Sequence, residues 1–358
     1  MRGINEGGHT GGRRTYGLKG SYACSGRPNR GGGIGSFHTE SLARRVADAE
    51  LAAVADPAEE TAERVASSLG SAYATPDPAD VMEDSSIEAV VIAAPASTHA
   101  DLIETAAGAG KAVFCEKPMA LTLADADRAI EAASAAGVPL QVGFNRRFAP
   151  DFRAAYDLVV SGGLGQPQLL RSLTRDPGLE DPSVVEPWTI FLETLIHDFD
   201  TLQWLNPGAE AVEVYAVSDA LVRPDWKDRG LLDTAVVLVR FDNGAMATAE
   251  ASFQAVYGYD VRSEVFGSEG MVTAGEVRRT SMTFYGDRGQ ASDTTRLNTD
   301  LFLDAYTAEL AHFVDCVRTG AAPDSTGEDA RGALAIALAA IRSVEDGRPV
   351  RLDEPEGR

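Results

Sequence analysis

The chain has 358 residues, is 44% hydrophobic and carries a formal net charge of −22 at pH 7. That length predicts two domains with substantial cores, and the charge argues against nucleic acid or an anionic membrane as partner, since both repel an acidic surface. No apolar run approaches the roughly 18 residues of a membrane span, and Cys24, Cys115 and Cys316 are widely spaced with no CxxC pair. This cysteine usage predicts a reducing cytoplasm and no metal site.

Residues 1–30 carry Arg2, Arg13, Arg14, Lys19, Arg27 and Arg30 against Glu6 alone, and they are rich in glycine and nearly free of Val, Leu and Ile. Such a segment cannot bury enough apolar surface to offset its ordering entropy. It lacks the apolar stretch of a signal peptide, and its glycines oppose the amphipathic helix of a transit peptide. It reads as a disordered or anomalous segment.

Residues 31–148 alternate short apolar runs with helical patterns. FHTESLARRVADA is helical, ELAAVADP is a strand stopping at Asp56, and AEETAERVASSLG is a helix closed by Gly70. IEAVVIAAPASTH, AVFCEKP and VPLQVGFNRRF are further strands, separated by the helices ADLIETAAGAGK and LADADRAIEAASAAG. This order predicts parallel βαβ units with helices on both faces and ligands at the C-terminal strand ends.

From about residue 149 to 322 strand patterns follow one another directly, from QLLRSLTRD to MVTAG, with a DNG hairpin turn at 242–244 and a helix near 190–205. They predict an α+β domain with a large, open, mainly antiparallel sheet. Residues 323–358 read as a helix and tail that pack back on the first domain, with Ser325 and Glu328 at capping-box spacing.

Four places could carry chemistry. The stretch RGGGIG at 30–35 supplies the second and third glycines of G-x-G-x-x-G as Gly32 and Gly35, with Arg30 where the first should be. Gly33 and Ile34 complete that loop, whose backbone would cradle a pyrophosphate at a helix start. Asp56, 21 residues past Gly35, is placed to accept hydrogen bonds from an adenosine ribose and to repel a 2′-phosphate, which selects NAD over NADP; the same Asp-Pro pair also fits a helix cap. In VFCEKPMAL a buried strand runs into Glu116-Lys117-Pro118, projecting Lys117 at the sheet rim, where partial burial would lower its pKa; an ordinary solvated Glu-Lys pair is the alternative. In FLETLIHDFDTLQWL, Glu193, His197 and Asp200 share one face of an α-helix, an imidazole flanked by carboxylates and suited to acid–base work, or simply a structural helix histidine. Asn145, Arg146 and Arg147 end another strand at the same rim, as ligand contacts or as a domain-hinge salt bridge.

Taken together, GGIGSFH, VADP, AAPASTH, CEKPMAL, GFNRRF, ETLIHDFD, SEVFGSEGMV and TGEDARGALAIALAAI resemble the Gfo/Idh/MocA family of NAD(P)-dependent oxidoreductases, most closely its inositol 2-dehydrogenase branch. The resemblance implies a Rossmann domain followed by an α/β domain whose sheet builds a homodimer or homotetramer. It implies NAD as cofactor and a small polyol or sugar as substrate, oxidised at a secondary hydroxyl. Lys117 would touch the substrate hydroxyl and nicotinamide ribose, His197 would be the acid/base, and Glu193 would assist it. Asp200, Asn145 and Arg146 would hold the substrate, while Pro95, His99 and Glu116 would line the cofactor.

Three departures stand out. Position 193 is Glu where that branch usually has Asp, and the bulky Trp188, a substrate-binding candidate expected to fill part of the pocket, stands in a turn that is usually small and glycine-containing; these suggest a modified sugar of secondary metabolism as an alternative substrate. The family's first Val/Ile strand is missing before Gly32, as though the reading frame were disrupted there. Without that strand the sheet would have a gap and the cofactor a weaker grip, which leaves a catalytically impaired binding or assembly protein as another alternative.

Overall fold

The computed structural model describes residues 18–19, 33–70, 73–178 and 185–354. Its N-terminal part contains β1 (Leu18–Lys19), α1 (Ile34–Arg44), β2 (Ala49–Glu50), β3 (Ala53–Ala55), α2 (Glu59–Leu69), β4 (Tyr73–Thr75), α3 (Pro78–Glu83), β5 (Ala89–Ile92), α4 (His99–Gly108), β6 (Ala112–Cys115), α5 (Leu123–Ala136) and β7 (Leu140–Val142). The helix ends follow their sequence signals. Gly70 and Gly137 close α2 and α5 in the left-handed conformation that glycine adopts without steric cost. Strands β3, β5 and β6 are buried at every position, as a two-sided parallel sheet requires.

Among the described residues the parallel strands form separate groups. β1 pairs with β2, β3 with β4, and β5, β6 and β7 form a separate group of three. Among the described residues no strand bridges β3 and β5, the place where a doubly wound sheet keeps its first strand. Within residues 1–30, Leu18–Lys19 form a short strand; the other residues up to 32, Gly32 included, lie outside the described residues.

The C-terminal part contains α6 (Pro150–Val160), β8 (Pro167–Arg175), a π-helical stretch (Ile190–Leu195) running into α7 (Ile196–Trp204), β9 (Ala211–Asp219), β10 (Thr234–Phe241), β11 (Met246–Ser252), β12 (Asp260–Gly267), β13 (Met271–Ala274), the hairpin β14 (Arg278–Gly286) and β15 (Gly289–Thr294), α8 (Asn298–Leu301), α9 (Leu303–Thr319), α10 (Gly327–Asp346) and β16 (Val350–Arg351). Seven strands form one sheet in the order β13-β12-β8-β11-β10-β9-β16, with only β8 and β11 parallel. In β10 Ala235, Val237, Val239 and Phe241 point inward, the alternation of a sheet covered on one face.

α7 and α10 cover the inner face, and α10 also touches α5 and β7. The tail does not return wholly to the first domain, because β16 pairs with β9 at the edge of the large sheet. α9 packs the other way: Leu310, Phe313 and Val314 join Leu42 of α1 and Val46 just beyond it against Val91 and Phe114. The capping box lies one residue later than its expected place, on Thr326 and Asp329. Ser325 instead donates to the Val142 carbonyl at 2.8 Å.

Candidate active site

The C-terminal ends of β5, β6, β7 and β8 converge with the π-helical stretch on a cavity of about 410 Å³. It is lined by Ile34, Pro95, His99, Glu116, Lys117, Asn145, Arg146, Glu193 and His197, residues drawn from both halves of the chain. A more open cleft of about 940 Å³ lies elsewhere, beside α10, and contains none of these. Its guanidinium groups are occupied, Arg153 on Asp324, Arg331 on Asp127 and Arg351 on Asp353.

The Lys117 ammonium sits 2.8 Å from Glu193 Oε2 and 3.1 Å from the Glu193 carbonyl, so the two halves of the chain meet at this ion pair. Burial pulls the lysine pKa down, but Glu193, Glu116 and Asp176 outweigh it and the net shift is upward. The expected lowering is therefore reversed, and Lys117 is a persistent cation. His197 is also corrected. Its neighbours are not flanking carboxylates: burial first, then the Lys117 and Arg146 cations, hold its pKa well below the usual histidine value. It is a neutral imidazole packed edge-on against Phe144 at 5.9 Å, with Nδ1 unpartnered among the described residues.

Asp200 does not enter the cavity. It is fully buried and accepts two bonds from Arg147, at 2.6 and 3.0 Å. Glu193, in the π-helical stretch, and His197, in α7, both line the cavity, whereas Asp200, three residues on in the same α-helix, is turned to Arg147. Trp188 is also absent from the lining. It has φ of 66°, a conformation costly for a bulky residue, and its ring packs on Phe191 while Thr189 faces the cavity.

Arg146 lines the cavity and is also the hinge pair foreseen as its alternative. It holds Asp198 at 2.8 Å, and Asp198 also accepts from Ser172 and Thr174. Asp176, just beyond β8, is a cavity residue that sequence reasoning left without a role, although RSLTRDP pointed at it. Burial pushes its pKa up to about 7 against the pull of Arg146 and Lys117. Tyr306 and Thr174 complete a wall that no local spacing reveals.

The remaining sequence candidates sit at α1. Gly33 is its N-cap, with no side chain capping the helix and no acidic residue in the first turn. A side chain at Gly33 would meet nothing within 4 Å. Gly35 and Asp56 meet in a small crevice on the other side of the helix start. There Asp56 Oδ1 accepts the Ala58 N–H at 2.9 Å, a turn ahead of α2, whose N-cap is Ala58 and which no side chain caps, so Asp56 is not a helix cap. An uncapped, uncharged helix start beside an acidic strand end and a buried lysine fits a dinucleotide diphosphate, ribose and nicotinamide.

A parallel-sheet crevice of this kind, closed by a second domain that contributes an imidazole, defines a nicotinamide-dependent oxidoreductase. Residues 31–144 match the oxidoreductase family model for an NAD-binding Rossmann fold, and residues 185–352 match the same family's C-terminal alpha/beta domain. The chain belongs to the Gfo/Idh/MocA oxidoreductase family, and NAD is its cofactor. It is 39% identical over 330 residues to the myo-inositol 2-dehydrogenase of Thermotoga maritima, covering 91% of this chain and 98% of that one. It is 38% identical to the scyllo-inositol 2-dehydrogenase (NAD(+)) of Bacillus subtilis, over 90% and 94% of the two chains. The structure of scyllo-inositol dehydrogenase from Lactobacillus casei with bound NAD(H) and scyllo-inositol superposes with a TM-score of 0.88 at 26% identity, covering 94% of this chain and all of that one.

Proposed function

We propose that this protein oxidises a secondary hydroxyl of a cyclitol, or of a closely related sugar, to the ketone. The observation that carries the reading is the meeting of Lys117 and His197, from different halves of the chain, in one cavity with Glu193 bridging to the lysine. NAD supplies the hydride acceptor when bound. Neutral His197 takes the hydroxyl proton, and the Lys117 cation steadies the oxygen as negative charge develops there. Glu193 fixes the ammonium, while Asn145, Arg146 and Asp176 supply hydrogen bonds to neighbouring hydroxyls. Gly33, Ile34 and Gly35 hold the diphosphate end, Asp56 the adenosine ribose, and Pro95, His99 and Glu116 the nicotinamide end. The inositol dehydrogenases among the relatives support a cyclitol. Assaying inositols and sugars for NADH absorbance tests the proposal: turnover of at least one inositol is expected, and turnover of none overturns it.

The modified-sugar alternative loses Trp188, which is outside the cavity, and keeps Glu193. The alternative of an impaired binding protein keeps the separate groups of described parallel strands as its one favouring observation. Titrating NADH and following nicotinamide fluorescence separates it, since that alternative expects no binding at millimolar cofactor.

Met271, Phe266, Leu169 and Met246 form an exposed row across neighbouring strands of the large sheet, followed by the outward pairs Val236–Val217 and Leu238–Tyr215. These apolar rows, interleaved with the Arg171–Glu250 and Arg240–Glu213 ion pairs on the same face, support a homodimer or homotetramer built through the sheet. Sedimentation of Leu238→Glu should then show a smaller species than the parent chain. No helix of the described residues is long and apolar enough to cross a membrane. We propose a cytoplasmic location on the wide spacing of Cys24, Cys115 and Cys316 in the chain.

A further inference from the structure

Lys117 sits on a three-residue turn after β6 that is gripped from both sides by buried histidines. On one side, Glu116 Oε1 lies 2.5 Å from His38 Nε2, and Glu116 Oε2 accepts the Lys117 backbone N–H at 3.1 Å. His38 belongs to α1, is fully buried, and stands edge-on to Phe114 and Tyr306 at 5.4 and 5.8 Å. On the other side, the Pro118 carbonyl faces His99 Nδ1 at 2.8 Å, and the Ala94 carbonyl faces His99 Nε2 at 2.8 Å. His99 opens α4 and is 1% exposed. Both of its nitrogens face backbone oxygens, and a neutral imidazole donates its single N–H to one of them.

We propose that His38 and His99 are positioning residues that clamp the Glu116–Lys117–Pro118 turn to helices α1 and α4, so that filling the cofactor end of α1 and placing the Lys117 ammonium are one coupled event. The proposal rests on the dehydrogenase reading of the cavity. It also rests on the polar tie that the described residues show from α1 to the turn, His38 on Glu116. Movement of α1 is transmitted through that carboxylate to the Lys117 backbone.

His38, Glu116 and Glu309 also bring three ligand-capable atoms within 4.8 Å of one another. A shared metal ion is the wrong reading. Two donors on one tetrahedral zinc stand roughly 3.3 Å apart, given bonds of about 2.0 Å, whereas 2.5 Å is a hydrogen-bond separation. Burial and the nearby Glu116 charge raise the Glu309 pKa well above the usual carboxylate range, so it adds a neutral wall behind the pair.

The test is a double-mutant cycle on the full chain, with NADH affinity read by fluorescence and kcat by NADH formation. His38→Ala should weaken NADH binding and lower kcat, each by roughly ten- to hundredfold, the worth of a charge-assisted hydrogen bond. His38→Gln, whose amide nitrogen reaches as far as Nε2, should restore most of both. His99→Ala should lower kcat with a smaller change in NADH affinity. In a Lys117→Ala background, His38→Ala should cost no further kcat, because it acts through the lysine. An equal kcat loss in both backgrounds, failure of His38→Gln to restore where His38→Ala lost activity, or one equivalent of divalent metal in the purified protein overturns the proposal. If the parent chain binds no NADH, the dehydrogenase reading itself fails; if it binds and His38→Ala changes nothing, only the clamp fails.

Discussion

Among the described residues, seven strands of the C-terminal half hydrogen-bond in one sheet from β13 to β16, whereas the parallel strands of the N-terminal half fall into groups of two, two and three. Strands β3 and β5 are as deeply buried as those of the seven-stranded sheet, so apolar content does not explain the difference. An antiparallel sheet adds neighbours through hairpins, and each strand needs only the next. A doubly wound parallel sheet is organised around its first strand, and everything on either side depends on it. Helices and side-chain ties also join the parts: α1 packs on β5 and β6, α9 packs on α1, and His38 reaches Glu116.

The sharpest way to break this comparison is to remove chemistry without touching either sheet. Lys117→Ala and His197→Ala should each lower kcat/KM by about 10²–10⁴-fold, with the thermal midpoint nearly unchanged; steady-state kinetics beside a melting curve checks both. Next in size is the joint between the halves. Arg147 is buried on Asp200, reaches Asp329 at 3.1 Å and stacks over Trp204 at 5.7 Å. Arg147→Ala should cost about 3–5 kcal/mol in urea unfolding, because it strands a buried carboxylate. Replacing residues 20–31 with a Val/Ile strand ending in a complete G-x-G loop should tighten NADH binding by about tenfold, the worth of one added bond to a charged phosphate. Unchanged affinity would mean that this segment does not limit the site.

The smallest effect is a pH shape. Asp176 titrates near 7 in the folded chain, against an ordinary value of 3.8, and burial is the main cause. The unfolded chain releases this proton first, so Asp176 disfavours folding increasingly as pH rises from about 4 to 7, and fully above that. Asp176→Asn should therefore melt higher at pH 8 but not at pH 3.5. It should also remove an inflection near pH 7 from kcat/KM. His197, held well below its usual range, should leave no inflection there.

Much of the site was legible because it is local. The Glu116-Lys117-Pro118 turn, Asn145 and Arg146 at a strand end, and Glu193 with His197 all follow from where an apolar run stops or a helix turns. What failed depended on distance or on backbone conformation. Arg147, from another segment, holds Asp200 away from the cavity, Trp188 packs on Phe191 with a left-handed backbone, and burial, then cations from two other segments, lowered the pKa of His197. Asp176, Tyr306 and His38 were missed because each comes to the site from a separate element, with no spacing in the chain to join it to Lys117.

The amino-acid order alone determined the βαβ alternation, the change to a largely antiparallel sheet after residue 150, and the strand ends that carry Lys117 and Asn145, because hydrophobic period and strand-ending residues act over a few positions. The tertiary structure alone decided the protonation of those groups, the partner of each arginine, and the two-histidine grip on the lysine turn. Electric fields and burial sum over every neighbour in space, and most of those neighbours are far away along the chain.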